Sequence, residues 1–378
     1  AARDDAVRVL PYKGKELFLR LGVEGGSGRI GEFLRPFIEA HRFEAVPESV
    51  FCNAFLARTG VDAAPVVEQW YRSTELPAFV RGEPEIFRVV DGERERWQLL
   101  LRARNEGKVS GLLRIVVITG RTPVGETRSR KKEQAYQYLF DPGEGKEIGI
   151  LLDGAPRAFT VNTLISRDIP AVVNTFVKDI ESRPRSVPLD GERPLPPDVF
   201  APPPGEVVVD DLDEGFEVIR DPRRSLMARL STGRTQPKYA NFNWREPPGV
   251  WTRVVQIDCF GRYVRSAMMI AAGHGHGVVR WTARLPEGGT YEVWHHMVDP
   301  WGNLKSNFRR KTCTQEYHFT VRHEDGVDRP VVRIWEHEPG WVLLGTYRVG
   351  AGEAVVELSD ESPEKFILAD AVKFIRVR

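Results

Sequence analysis

The chain has 378 residues, with 54 lysines and arginines against 53 acids and 41% hydrophobic residues. That length exceeds one ordinary core, so two or three domains are expected, and a net charge of +1 gives no bulk attraction to nucleic acid or an anionic membrane. No run of about 20 apolar residues crosses a bilayer, and the stretch Ala1 to Asp5 has neither the basic nor the apolar region of a signal peptide. Of the three cysteines, Cys52, Cys259 and Cys313, the last two could pair, but an odd count makes no disulfide framework.

Residues 13–79 have a helical period. Phe33, Leu34, Phe37 and Ile38 fall on one helix face. Pro47 opens a second helix with Gly60 as its C-cap, and Asp62 caps a third whose apolar face holds Val66, Val67, Trp70 and Tyr71. Such a thin helical core needs a partner, either a separate polypeptide on the face of Phe33, Phe37, Val66 and Trp70 or the domain that follows. From Leu76 the period changes to two. Short β-branched or aromatic runs at 86–89, 97–101, 112–118, 135–140, 147–152 and 158–161, separated by turn residues, predict a β-sandwich over residues 80–180. The basic run Arg128 to Lys132 reads as a solvated loop or strand edge, since no aromatics interleave it.

Residues 181–205 carry eight prolines and are expected to form a semi-rigid extended linker, open to proteases. Period-two runs return at 278–283, 290–295, 317–321, 331–335, 341–346, 354–358 and 371–377. They predict a second sandwich over 206–378, of jelly-roll type. The fold class is therefore multidomain and mainly β, a short all-α segment at residues 1–79 followed by two β-sandwiches.

Several residues carry more than composition. Tyr12 and Lys13 are followed by Gly14 and Lys15; His41 and Phe43 come next, then Thr59, Gly60 and Asp62, with Trp70, Leu76 and Pro77 after them. In this order the segment resembles the end of the catalytic domain of aminopeptidase N-like zinc metallopeptidases, with the Lys and Gly of the Tyr-x-Lys-Gly motif transposed. The resemblance implies that Tyr12 opens a long helix and donates a hydrogen bond to the tetrahedral intermediate, an effect whose loss costs roughly 3–4 kcal/mol. It also implies an upstream catalytic polypeptide or domain that supplies zinc. A β-sandwich follows in that family, and Val161 to Pro170 looks like its closing segment in secreted bacterial relatives. The zinc motif itself needs two His four apart. After His323-Glu324 the fourth position is Val327, and after His337-Glu338 it is Trp341. This chain alone is thus expected to hold no zinc and no peptidase activity.

Val209 to Phe216, Val279 to Val293, Tyr317 to Gly326, Gly340 to Thr346 and Ala369 to Phe374 together resemble the golvesin C-terminal-like domain. That resemblance implies a β-sandwich of secreted or surface proteins, hence an extracellular or cell-envelope location and a cell-surface glycan or protein as partner. Among aromatic residues, Trp294, Trp301, Trp335 and Trp341 could form a sugar-stacking platform. Trp281 and Trp341 lie inside the strand pattern and read as core, whereas Trp301 sits at a turn and is the substrate-binding candidate. His274 and His276 could chelate a metal if extended, but their flanking glycines suggest a loop. His295 and His296 point to opposite strand faces. Asp210, Asp211, Asp213 and Glu214 could bind calcium, although turn-forming acids are commoner. Two functions stay open: the C-terminal portion of a surface aminopeptidase-like protein with a glycan-associating module, or a non-enzymatic adhesion or scaffold protein.

Overall fold

The computed structural model describes residues 2–26, 29–120, 132–178, 180–220, 238–298 and 315–377. The chain divides into two compact units, Ala1–Ala201 and Pro202–Arg378. The fold is mainly β, as the period-two runs predict.

The first unit opens with helices α1 (Ala2–Glu24), α2 (Arg29–Ala40), α3 (Glu48–Thr59) and α4 (Ala64–Arg72). They share a small core of Leu21, Phe33, Cys52, Phe55, Ala63 and Val66. Phe33 organises it, with ring centroids of Phe37 and Phe55 each 5.2 Å away. Gly60 closes α3 in the left-handed conformation at φ 81, which a glycine adopts without Cβ strain. Asp62 accepts a hydrogen bond from the Ala64 N–H at 2.9 Å at the mouth of α4. Tyr12 does not open a helix, because α1 begins at Ala2 and runs through Pro11. The helices dock on the sandwich of their own unit. Glu16 accepts a hydrogen bond from the Ile165 N–H at 2.9 Å, while within the bundle Trp70 of α4 donates one to the Lys13 carbonyl of α1 at 2.6 Å. Burial pushes the Glu16 carboxyl up to about 7.

The sandwich begins with β1 (Phe79–Arg81), β2 (Glu85–Asp91), β3 (Arg94–Asn105), β4 (Gly111–Thr119) and β5 (Lys132–Phe140). It continues with β6 (Gly145–Leu152), β7 (Pro156–Asn162), β8 (Val172–Phe176), β9 (Glu181–Ser182) and β10 (Gly191–Pro194). One sheet runs β10-β6-β3-β2-β9 with β1 added to β3, and the other runs β5-β4-β7-β8. Leu99, Leu101, Ile115, Val117, Ile148 and Phe159 from both sheets meet in one core.

The proline-rich segment is only partly a linker. β9 pairs with β2 and β10 pairs with β6, and between them Leu189 exchanges two 2.8 Å hydrogen bonds with the buried amide of Gln98. Leu189 also lies over Gly149, where a Cβ would come within 2.3 Å of its carbonyl oxygen. The physical reason is position: a sheet edge tolerates residues without an N–H, so proline content alone does not separate an edge strand from a solvated tether. Exposed residues 201–205 span the boundary between the units. Gln98→Ala is expected to strand the Leu189 N–H and carbonyl, costing roughly 2–3 kcal/mol. Proteolysis should then cut within residues 184–190. A variant as resistant as the parent would show that the strap does not depend on Gln98.

The second unit holds β11 (Glu206–Val209), β12 (Phe216–Arg220), β13 (Ala240–Asn241), β14 (Thr252–Val255), β15 (Ser266–Ala271), β16 (Val278–Leu285) and β17 (Gly289–Met297). After these come β18 (Glu316–His323), β19 (Gly326–Asp328), β20 (Val331–Arg333), β21 (Gly340–Val349), β22 (Gly352–Ser359), β23 (Phe366–Ala369) and β24 (Val372–Arg376). The sheet β11-β24-β17-β21 and the sheet β12-β16-β22-β18-β19, which adds β20 at β18, enclose one core. Trp281, Tyr291, Tyr317, Phe319, Val356 and Phe374 fill it. A smaller sheet, β13-β14-β15-β23, has its own cluster around Met269, Phe366 and Leu368.

Candidate functional site

Alternation along β17 sends Tyr291, Val293, His295 and Met297 inward and leaves Glu292, Trp294 and His296 partly exposed on the opposite face. Trp294 lies opposite Lys373 on one side and Leu343 on the other, and His296 lies opposite Trp341. The outer face of this sheet thus carries two half-exposed tryptophans. The Lys373 ammonium sits 4.4 Å from the Trp341 ring centroid and 5.9 Å from that of Trp294, a cation–π arrangement. Phe260 and His296 brace Trp341, at 5.2 and 5.1 Å between ring centroids. Glu206 lies 3.8 Å from Lys373, Glu292 accepts the Trp294 indole N–H at 3.3 Å, and Leu343 is 42% exposed. Indole faces can stack on the C–H face of a sugar ring, and here the Glu292 carboxylate and the largely covered Lys373–Glu206 pair border them.

A buried polar network supports this face from behind. The fully buried Asp370 carboxyl accepts the Phe260 N–H at 2.9 Å and meets His296 Nδ1 at 2.7 Å. Its carbonyl accepts the Trp281 indole N–H at 2.9 Å. Burial pushes the Asp370 carboxyl well up and pulls the His296 imidazole down to about 4. Asp211 takes the Arg253 guanidinium at 2.7 Å and the Ser266 hydroxyl at 2.9 Å. Asp210 accepts the Asp211 N–H at 2.8 Å, and burial raises both carboxyls. His295, sealed among Trp281, Tyr317 and Phe319, is held neutral by burial at about 3.

The residues singled out from the sequence are scattered. Tyr12 is 71% exposed on α1 and has no hydrogen-bond partner among the described residues. Trp301 and Cys313 lie outside the described residues, as does most of the basic run, residues 128–131. Trp341 is not core: it is half-buried on the outer face, whereas Trp281 is fully buried. Trp335 lies in a 3-10 turn, Ile334–Glu336. His274 and His276 are exposed, and the histidines 295 and 296 do face opposite ways. Of the four acids weighed for calcium, Asp210 and Asp211 turn inward and Asp213 caps the Asp210 N–H at 2.8 Å. Their oxygens are spent on backbone, Arg253 and Ser266. Among the described residues no group of three or more His, Cys, Asp and Glu side chains is placed to hold a metal ion. Lys373, Glu206 and Glu292 were missed, although alternation around Trp294 is enough to place Glu292 on its face.

In fold and site, the second unit is an antiparallel β-sandwich module with an aromatic outer face. Residues 241–376 match the Golvesin C-terminal domain, and that domain is present in this chain. A xanthan lyase from Bacillus sp. (strain GL1) is 33% identical over 135 residues, which is 34% of this chain and 13% of that protein. The chain thus matches only a small part of the curated relative's length. The solved Paenibacillus xanthan lyase covers 78% of this chain with 25% of its own, at 18% identity and a TM-score of 0.31. The K1 cleaved adhesin domain of Lys-gingipain from Porphyromonas gingivalis W83 covers 46% of this chain with 99% of its own, at 10% identity and a TM-score of 0.23. No finding among these comparisons supports an aminopeptidase origin for residues 1–79. Among the described residues no helix is long and apolar enough to cross a membrane.

Proposed function

We propose that this chain is part of a secreted or surface bacterial protein and that its second unit binds glycan through the Trp294 and Trp341 face. The observation that carries the reading is two half-exposed indoles on one sheet face beside Lys373, Glu206 and Glu292, within a Golvesin C-terminal domain. The polysaccharide-acting name of the curated relative adds support. The test is affinity electrophoresis of the full chain in gels holding neutral or acidic polysaccharides. Retardation by at least one supports the reading, and none across the set removes it.

A second reading concerns the helices. Val9, Leu10, Phe18, Ile38, Leu56 and Tyr71 of the helices remain more than a third exposed. With the order of motifs from Tyr12 to Pro77, this favours residues 1–79 as the end of an aminopeptidase N-like catalytic domain whose zinc and general base lie upstream. The residues present do not make a zinc site: His323 packs on the Tyr347 ring at 5.1 Å, and His337 has Trp341 at the fourth position. No hydrolytic step is therefore assigned to this chain. A full-length protein without an upstream His-Glu-x-x-His sequence and without bound zinc would overturn this origin.

A further inference from the structure

The second large sheet of the same unit carries a different kind of site. Its outer face is lined with charge rather than rings. Glu217, Arg280, Glu357 and Arg322 form a ladder across β12, β16, β22 and β18, with Arg280 at 3.1 Å from Glu217 and 2.6 Å from Glu357. Arg322 approaches Glu357 from the other side at 3.5 Å. Beside this ladder lies an open groove of about 250 Å³, lined by Arg220, His318, Thr320, Arg329, Glu357 and Ser359. Drug-sized sites run to roughly 300–1,000 Å³, so the groove suits a unit the size of one sugar ring.

The charge balance decides its chemistry. Glu357 is neutralised by two arginines of the ladder and leaves the groove arginines uncompensated. Arg220 and Arg329 are exposed and have no carboxylate partner among the described residues. Among the described residues lining the groove the remaining acid is Glu361, exposed at the margin beside Gly275. Two guanidinium forks against one marginal carboxylate give the groove a positive surplus. The Thr320 and Ser359 hydroxyls and the His318 imidazole offer further hydrogen-bonding groups between them. A guanidinium fork is matched to a planar carboxylate, which it binds with two parallel hydrogen bonds.

We propose that this groove takes the carboxylate of an acidic sugar unit, one residue of a uronate-bearing polysaccharide, with Arg220 and Arg329 as the anion clamp. The proposal rests on the reading of the second unit as glycan-binding, but it uses a separate sheet and separate residues from the tryptophan face. It gives the module two chemically distinct contacts, rings for the sugar faces and arginines for the charge.

Calorimetric titration of the full chain with trigalacturonic acid and with its methyl ester separates the two. The acid is expected to bind about tenfold tighter than the ester, the worth of one charge-assisted pair, and to weaken as sodium chloride is raised. In an Arg220→Ala/Arg329→Ala variant the preference should vanish while ester binding and the unfolding midpoint stay as in the parent. Both side chains are exposed, so the variant folds. Equal binding of acid and ester by the parent, or a preference surviving in the double variant, overturns the groove assignment alone. Binding of neither ligand, together with no retention by any polysaccharide, removes the glycan reading itself.

Discussion

The second unit is expected to lose stability as pH rises from 6.5 towards 9, and Asp210→Asn is expected to remove a large part of that slope. Burial raises the folded-state pKa of Asp210 to about 9, and those of Asp211 and Asp370 also rise. An acid whose folded pKa is raised contributes stability that is complete below its unfolded value and is lost as pH climbs through the folded one. His295 and His296, lowered to about 3 and about 4, act in the opposite sense. Their contribution is complete above the ordinary imidazole value of about 6.5 and is lost as pH falls through the folded values. Between pH 4 and 6.5 the two sets act in opposite senses, and above 6.5 the Asp210 carboxyl, with its folded pKa of about 9, still differs between folded and unfolded chains. Each proton held by the folded state alone corresponds to about 1.4 kcal/mol per pH unit. Cys259, buried with a raised thiol, joins with the same sign only above about pH 8.5. Asparagine mimics the protonated acid, so Asp210→Asn should cost little at pH 6.5. Urea denaturation of residues 202–378 across this range checks the expectation, and a profile that is flat or rising from pH 6.5 to 8.5 would contradict it.

Replacing Trp294 and Trp341 together by Ala is expected to weaken glycan binding more than any other surface change. Aromatic anchors at binding surfaces are worth about 2 kcal/mol each on truncation, about thirtyfold in affinity. The double variant should therefore fall below detection in affinity electrophoresis. Its stability should change less, since both rings lie on the outer face and the core beneath, with Tyr291, Val293 and Phe374 each about 1% exposed or less, is left intact. A midpoint shift like that of a buried-core truncation, with binding retained, would show the two rings to be structural.

Much of this architecture is legible in the sequence wherever one face of a strand is wet. β4, β17 and β22 alternate, and their period is visible. β15 and β23 are buried on both faces, Ser266 to Ile270 and Phe366 to Ala369, so no alternation marks them and they escape a period-two search. The strap at Leu189 reads from sequence as a tether because its prolines outweigh its pairing, which depends on a side chain 91 residues away, Gln98. Trp341 was placed in the core for a related reason. On β21, Val342 and Leu344 point inward, and so do Tyr347 and Val349. The inward positions therefore change from even to odd at a bulge opposite Val293 and Trp294. Gly345 allows it, since a Cβ there would lie 2.4 Å from the Tyr347 hydroxyl. A run of Trp, Val, Leu and Leu gives no sign of that switch, so the outward ring cannot be told from a buried one. The helical segment was legible as helix, but Tyr12 was misplaced because the ten residues before it continue the same helix through Pro11.

Glycan binding by this face requires that sugar touch the two outward indoles. The direct measurement is a titration of the full chain with an oligosaccharide from whichever polysaccharide retains it, following the indole N–H resonances assigned by Trp294→Phe and Trp341→Phe. These two resonances are expected to shift together and saturate with one dissociation constant, while the resonance of buried Trp281 stays in place. Saturation of binding with Trp294 and Trp341 unmoved would contradict it.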